Sequence, residues 1–101
     1  MPSIYRYAIK DLSKIVEKAC KLKIPLITLF PYTSLSKKND HGSEALNENN
    51  LICRAVRTLK KEFKNDIGIM CDVALDPYTS HGHDGIIKNK TIDNDSTVEI
   101  L

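Results

Sequence analysis

Acidic and histidine side chains gather in one stretch of the sequence, residues 72–85, which reads DVALDPYTSHGHDG. An apolar run from Ile67 to Ala74 leads into it and contains the first acid, Asp72. A carboxylate at the end of a buried strand must be hydrogen-bonded, paired with a cation, or face a polar cavity. Two interpretations of Asp72 stay open: it faces a pocket, or it ties down the following loop by accepting hydrogen bonds from backbone N–H groups.

Four more donor side chains follow Asp72 closely. They are Asp76, His81, His83 and Asp84. Oxygen and nitrogen donors of this kind can bind a divalent metal, and a set without thiolates favours a harder ion than a cysteine cluster does. The alternative is a polar loop whose side chains are simply solvated. Gly82 and Gly85 provide backbone freedom, which predicts a movable lid hinged at these two glycines.

Helix and strand patterns alternate along the chain. Apolar residues at helical spacing predict helices, and short runs that are apolar on both faces predict strands of a parallel sheet. The order is helix, strand, loop, helix, strand, lid loop and the start of a third helix. The predicted bounds, in that order, are 11–22, 26–30, 31–47, 48–64, 67–74, 75–93 and 94–101. Two parallel strands with one crossover leave their sheet edges unpaired, so the pattern predicts part of a larger α/β barrel.

The second predicted strand has two faces, because side chains alternate along a strand. One face should meet the helices; it consists of Ile67, Ile69, Cys71 and Val73. The other would point into the barrel; it consists of Gly68, Met70, Asp72 and Ala74. This alternation places Asp72 inside the barrel, near its mouth.

Composition favours a globular protein over a disordered, nucleic-acid-binding or membrane-spanning one. Hydrophobic residues make up 42% of the 101 residues and charged residues 28%, which is typical of a globular chain. A net charge of +2 is too balanced to predict a nucleic-acid partner. No apolar run approaches the roughly 20 residues of a membrane helix, and no signal-peptide pattern is present, so we expect a cytoplasmic protein. Cys20, Cys53 and Cys71 form no CxxC motif, which predicts separate buried or half-buried thiols.

Basic residues occupy one face of the second predicted helix. They are Arg54, Arg57, Lys60, Lys61 and Lys64. Such a row is typical of a solvated helix face with favourable charge at its C-terminus. A phosphate-binding ridge is the alternative, although the face lacks the interleaved aromatic residues of a nucleic-acid surface.

The 72–85 stretch resembles the metal-switch segment of the 5-aminolevulinate dehydratase family, also called porphobilinogen synthase. Further similar segments run along most of the chain. They are Leu29-Phe30-Pro31, Gly42-Ser43-Glu44-Ala45, Arg54-Ala55-Val56-Arg57 with Leu59-Lys60, and Ile92 with Asn94-Asp95-Ser96-Thr97. The resemblance covers nearly all of this chain but only an internal portion of the family's chain. It implies a segment of a TIM barrel, assembled into a homo-oligomer that is commonly an octamer.

The resemblance also implies an activity. The family condenses two molecules of 5-aminolevulinate into porphobilinogen, the pyrrole precursor of haem and other tetrapyrroles. Asp72 matches the family's pocket aspartate. The two lysines that form Schiff bases with the substrate in this family lie on later barrel strands, and no lysine here has a matching context. We therefore expect the 101-residue chain to be inactive alone.

Zinc-dependent members of the family carry cysteines at the positions of Ala74, Asp76 and Asp84. None of these residues is cysteine here, so the resemblance is to the aspartate-rich class, which is usually stimulated by magnesium. Replacing thiolates with carboxylates moves the preference from Zn²⁺ towards Mg²⁺. The resemblance thus implies a lid in which Asp76 and Asp84, with His83, bind a metal or polarise substrate or water. The alternative hypothesis is a non-catalytic remnant, or a segment that binds a metal or a partner.

Overall fold

A computed structural model of the protein describes residues 3–101. Within this range the chain forms helices α1 (Ile9–Lys21), α2 (Leu51–Phe63) and α3 (Asn94–Ile100). The strands are β1 (Leu26–Leu29), β2 (Gly68–Cys71), β3 (Ile86–Lys88) and β4 (Thr91–Asp93). Two short 3₁₀ turns, Leu35–Lys37 and Ser43–Leu46, lie in the segment that was predicted as a loop. No helix in the described range is long and apolar enough to cross a lipid bilayer.

The first two strands form a parallel pair. Ile27 pairs with Ile69, and Leu29 pairs with Cys71. Parallel strands need a crossover connection, and α2 provides it, so β1, α2 and β2 make one βαβ unit. A second sheet, separate from the first, is the antiparallel hairpin of β3 and β4.

One hydrophobic core joins α1, α2 and one face of the parallel sheet. Its buried members are Val16, Ala19, Leu59, Phe63 and Ile67. Ile27, Leu29 and Ile69 pack against them from the strands. The helices also meet through a hydrogen bond that the Ser13 hydroxyl donates to the Glu62 carboxylate at 2.6 Å. The helical periodicity of the sequence therefore identifies the face that the helices bury.

The α2 helix begins at Leu51, three residues later than predicted. Asn50 sets this boundary, because its side-chain oxygen accepts a hydrogen bond from Cys53 N at 3.0 Å. The Asn50 amide also donates to the carbonyl of Glu44 at 3.1 Å, and the residue is only 3% exposed. Asparagine is a preferred N-cap because it accepts from an otherwise unpaired N–H in the first turn.

The β2 strand is shorter than its apolar run. It was predicted over 67–74 but ends at Cys71, because its partner β1 ends at Leu29 and leaves no backbone to pair with further residues. Cys71 and Val73, which were predicted to meet the helices, are exposed; Val73 is 74% exposed. Ile67 and Ile69 do contact the helices as predicted.

The predicted lid loop 75–93 contains a hairpin. Residues Asn89 and Lys90 connect β3 and β4, with φ of 51° and 66°. Two consecutive positive φ values are those of a type I′ turn, whose twist matches that of a β-hairpin. The prediction of an irregular loop over the whole of 75–93 is therefore wrong for residues 86–93.

The hairpin is fixed to α3 by polar groups. Asp93 caps the helix by accepting from Ser96 N at 3.1 Å. The Thr97 hydroxyl, within a residue only 8% exposed, donates to Asp93 O at 2.7 Å and accepts from Ile86 N at 2.9 Å. Helix α3 is thus tied to both strands of the hairpin at once.

Candidate functional site

The face of the parallel sheet opposite α1 and α2 is open. Leu26 is 45% exposed and Met70 is 48% exposed, whereas Ile27 and Ile69 on the other face pack on the core. Phe30, which directly follows β1, is 73% exposed. The strands therefore offer an uncovered, largely apolar surface that extends to their carboxyl ends.

Asp72 lies at the carboxyl end of this open face. It directly follows β2, and the strand's alternation puts it on the side of Gly68 and Met70. Its side chain is exposed, and it makes no hydrogen bond or ion pair with another described residue. The predicted direction, away from the helices and into the barrel, rests on the same alternation and stays a prediction. Asp72 does not act as the tie for the loop that follows it.

Asp84 ties down the loop instead. Its Oδ1 accepts a hydrogen bond from Leu75 N at 2.6 Å. Leu75 is only 1% exposed, so the carboxylate rather than solvent satisfies this backbone N–H. The carboxylate that was predicted as a metal or lid ligand closes residues 75–84 into a ring of hydrogen-bonded chain.

Residues 75–79 form a tight turn within this segment. Both Tyr78 N and Thr79 N donate to Leu75 O, at 2.8 and 3.1 Å. The Thr79 hydroxyl, with the residue 0% exposed, donates to His83 O at 2.8 Å. Gly82 adopts a φ of +76° that favours glycine, and open space surrounds its Cα. The turn is buried and hydrogen-bonded at Thr79 and exposed at Gly82.

The two histidines contact each other at the edge of the turn. Their ring centroids are 5.5 Å apart. His81 Nδ1 accepts from His83 N at 3.1 Å, while His81 Nε2 lies 3.3 Å from Asp40 O. A neutral imidazole with Nδ1 as acceptor carries its proton on Nε2, so we assign the Nε2–H tautomer, which donates to Asp40. Both nitrogens of His81 are therefore occupied, whereas the His83 ring is exposed.

A segment that the sequence prediction left as loop supports the turn. Asn39 N donates to Tyr78 O at 3.2 Å, and Ser80 N donates to Asn39 O at 3.0 Å. The Ser80 hydroxyl also donates to the Asp40 carboxylate. Asn39 in turn accepts from Ser43 N at 3.1 Å through its side chain. The only sequence indication of this role is the tendency of Asn and Asp to form local turns.

Gly85 has a packing role in the structure. It is buried, and a Cβ at this position would lie 2.6 Å from Ile92 Cγ2 and 3.1 Å from Thr97 Oγ1. The glycine lets the turn approach the hairpin and α3 closely. Of the two predicted hinges, Gly82 has the positive φ and the open surroundings, whereas Gly85 is fixed by its neighbours.

The predicted metal ligands are not brought together. Asp76, His83 and Asp84 are all exposed, and one oxygen of Asp84 is taken by Leu75 N. No group of three or more His, Cys, Asp or Glu side chains is placed to hold a metal ion in residues 3–101. Ala74, at a family cysteine position, supplies no ligand. The donor types suit Mg²⁺, but this loop alone does not form a site for it.

Burial raises two pKa values near the turn. Burial is the main reason that the pKa of Tyr78 is raised, with smaller contributions from Cys53, Glu44 and Cys71. Burial also raises the pKa of the Cys71 thiol, with a further contribution from Cys53. Both groups are therefore neutral at physiological pH, and the Tyr78 hydroxyl is available as a donor. Cys20 and Cys53 are half-buried, as predicted, but Cys71 is exposed.

The basic face of α2 supports its own helix ends. Arg57 donates to the carbonyl of Glu48 at 2.8 Å, and Lys60 donates to the carbonyl of Ile67 at 3.0 Å. These contacts satisfy carbonyl groups beside the helix termini, which agrees with the interpretation as a solvated face.

Comparison with known proteins identifies this arrangement. The family model described as delta-aminolevulinic acid dehydratase matches residues 1–101. The delta-aminolevulinic acid dehydratase of Bradyrhizobium diazoefficiens is 54% identical over the whole of this chain, which spans 28% of that protein. The chloroplastic delta-aminolevulinic acid dehydratase 1 of Arabidopsis thaliana is 44% identical, and the chain spans 24% of it.

A solved structure shares the fold. The porphobilinogen synthase of Toxoplasma gondii ME49, determined in complex with the reaction product porphobilinogen, superposes with a TM-score of 0.94 at 38% identity. The match covers 99% of this chain and 29% of that one. The α/β architecture is therefore a segment of a TIM barrel, in which β1 and β2 are two of the strands. Because the family model matches the whole of this chain, residues 1–101, the chain belongs to the delta-aminolevulinic acid dehydratase family.

Proposed function

We propose that this chain forms the part of a porphobilinogen synthase that contributes Asp72 to the substrate pocket. The observation that carries the proposal is the position of Asp72: an exposed carboxylate without a partner in the described residues, at the carboxyl end of β2, on the sheet face that no helix covers. In TIM barrels the chemistry takes place at the carboxyl ends of the strands. Family membership supplies the reaction, the condensation of two 5-aminolevulinate molecules.

The chemistry open to Asp72 follows from its charge. In a barrel mouth with restricted water, a carboxylate attracts the ammonium group of 5-aminolevulinate more strongly than it does in bulk solvent. The same carboxylate can hold or accept a proton from a reacting amine. Asp76 is exposed on the loop that follows and can approach substrate or water, whereas Asp84 holds the loop in shape through Leu75 N.

The assay requires the remainder of the barrel. We define the chimera as the Bradyrhizobium diazoefficiens relative with its matching segment replaced by residues 1–101 of this chain. Formation of porphobilinogen by the chimera is expected. In Asp72→Asn the turnover should fall by roughly 100-fold, the size of a general acid–base contribution, while the melting temperature stays within about 1 °C.

Asp95→Asn is the matched control, because Asp95 is an exposed acid on α3 outside the open face. It should leave both turnover and melting temperature unchanged. Full activity in Asp72→Asn would contradict the role of Asp72. A folded chimera that forms no product would favour the alternative, a non-catalytic binding segment, which no structural observation favours at present.

The proposal includes three finer expectations from the family resemblance. The complete protein is a homo-oligomer, and the family resemblance implies an octamer. Light scattering on the chimera measures the number of subunits. Its activity responds to Mg²⁺ rather than Zn²⁺, which chelation followed by addition of each metal measures. Its compartment is the cytoplasm, although the Arabidopsis thaliana relative is described as chloroplastic.

A further inference from the structure

A small cavity lies on the helix side of the candidate site. Its volume is about 180 Å³. It is bounded by the segment after β1, by the first turn of α2 and by the turn after β2, and Asp72 is not among its lining residues. The lining residues that matter here are Thr33, Lys37, Glu44, Arg54 and Tyr78.

Two hydroxyl groups in the cavity wall have no partner among the described residues. Tyr78 is 7% exposed and Thr33 is 8% exposed. The other buried polar residues, Asn50, Thr79 and Thr97, all make side-chain hydrogen bonds. No side-chain oxygen in the described chain is both sealed from solvent and unpaired. The hydroxyls of Tyr78 and Thr33 therefore open to the space that the two residues line.

Largely buried hydroxyls that lack a protein partner are free to hydrogen-bond to whatever occupies the cavity, either water or a ligand. The raised pKa of Tyr78 keeps its hydroxyl protonated at neutral pH, so it is a donor. Thr33 provides a second donor that can rotate towards a ligand. Two donors in the lining of one cavity favour an acceptor-rich ligand.

The charged groups around the cavity point to the sign of that ligand. The Arg54 side chain makes one hydrogen bond, from Nε to Asn49 O at 3.0 Å. Its two terminal nitrogens make no hydrogen bond with a described residue. The Lys37 ammonium lies 4.0 Å from Glu44, at the limit of an ion pair. Glu44 is already held by Asn47, whose amide donates to it at 3.0 Å. The cavity lining therefore carries two cations, Lys37 and Arg54, and one carboxylate, Glu44, which already accepts a hydrogen bond.

We propose that this cavity binds a small oxyanion, a carboxylate or phosphate, through the hydroxyls of Thr33 and Tyr78 and the side chains of Lys37 and Arg54. A volume of about 180 Å³ holds about six waters at roughly 30 Å³ each, which is enough for acetate or inorganic phosphate. The planar guanidinium of Arg54 suits either anion. A bound anion would join three separate segments of the chain.

The test uses the chimera and measures binding without turnover. Sodium acetate and sodium phosphate are titrated by calorimetry at an ionic strength that sodium chloride keeps constant. We expect saturable binding in the millimolar range for at least one anion, and the tighter of the two identifies the source of the oxyanion. Tyr78→Phe and Arg54→Gln should each weaken that binding by about tenfold, the loss of one hydrogen bond to a charged ligand.

Two further variants keep the result interpretable. Lys61→Gln removes the same charge as Arg54→Gln from an exposed position on α2 that does not line the cavity, and it should bind as tightly as the parent. Thr33→Val retains shape and removes the second hydroxyl, which tests the donor role if Tyr78→Phe disturbs the fold. The absence of saturable binding, or an equal affinity in all variants, would overturn the proposal. An inactive chimera that still binds the anion would contradict only the proposed function.

Discussion

Residues 9–71, the helix–sheet unit, and residues 72–101, the loop–hairpin unit, reach a fixed structure by different means. In the helix–sheet unit, Val16, Leu59 and Ile67 are at most 2% exposed and meet in one apolar core. In the loop–hairpin unit, Leu75 and Ile86 are also buried, but the chain around them is held by polar contacts: Asp84 on Leu75 N, Thr79 on His83 O and Asp93 on Ser96 N. Apolar burial carries the scaffold, and directional hydrogen bonds shape the part that carries the candidate chemistry.

The largest expected effect tests the apolar side of this comparison. Leu59→Ala in the chimera should lower the free energy of unfolding by about 2–5 kcal/mol, because the side chain is 1% exposed and its removal leaves a cavity. Urea unfolding followed by circular dichroism measures it. The control Val98→Ala, at a residue 70% exposed, should change the same quantity by less than about 0.5 kcal/mol. Equal losses in the two variants would contradict the assignment of the core.

A smaller effect is expected where the loop–hairpin unit is tightly packed. Gly85→Ala places a methyl group 2.6 Å from Ile92 Cγ2, and overpacking of this kind costs about 1–3 kcal/mol. Hydrogen exchange should rise in peptides that cover 86–93 and stay unchanged in peptides that cover α2. Ile92→Ala removes the obstructing atom, so the double variant should recover part of the loss. If the double variant loses the full sum of the two single losses, the contact with Ile92 is not the cause.

Removal of the loop tie should have a smaller effect still. Asp84→Ala leaves Leu75 N without its acceptor, and we expect a cost of about 1–1.5 kcal/mol because water can reach part of the exposed loop. Limited proteolysis within 75–84 should become faster. Asp76→Ala removes a carboxylate that makes no hydrogen bond with a described residue, so cleavage there should keep its original rate. Identical cleavage rates in both variants would mean that Asp84 does not hold the loop.

The smallest expected effect is the loss of α3 stability at low pH, when Asp93 is protonated. Hydrogen bonds from Ser96, and then the Lys88 ammonium 3.6 Å away, hold the pKa of Asp93 below its ordinary value of 3.8. Because the folded-state pKa is the lower one, the stabilisation is present above the unfolded pKa and is lost as pH falls through the folded pKa. Hydrogen exchange of α3, corrected for intrinsic rates, should begin to lose protection as pH falls towards the ordinary pKa of 3.8 and should go on losing it below that pH. Asp93→Asn should show no such change, and a parallel loss in both proteins would assign the effect to another group.

Sequence patterns predicted the helix–sheet unit better than the loop–hairpin unit. The stripe of Leu59 and Phe63 and the apolar runs around Ile27 and Ile69 depend on burial, which hydrophobic periodicity reports directly. The end of β2 at Cys71 was missed because it is set by the length of β1, a partner far away in the sequence. Strand ends of this kind depend on pairing rather than on local residue preference.

In the candidate site, the sequence already shows Asp72 near the end of an apolar run, and the structure has it directly after β2, whereas the hydrogen-bond partners of the loop residues could not be predicted. Asp84 was predicted as a metal ligand because carboxylates near histidines often bind metals. In the structure its Oδ1 accepts a hydrogen bond from Leu75 N, nine residues earlier. The hairpin was missed because Asn89-Lys90 lacks the glycine that usually marks a type I′ turn. The hydroxyls of Thr33 and Tyr78 became notable only when the structure placed them in one cavity.

The two pairs of strands also differ in when they can form. Lys88 and Thr91 are neighbours across a two-residue turn, so the hairpin can close within about 1–10 μs of its last residue becoming available. Ile27 can pair only with Ile69, which follows it by the whole of α2. Bringing the ends of so long a segment together has an entropic cost. During synthesis on the ribosome, β1 therefore pairs with β2 only after α2 has left the exit tunnel.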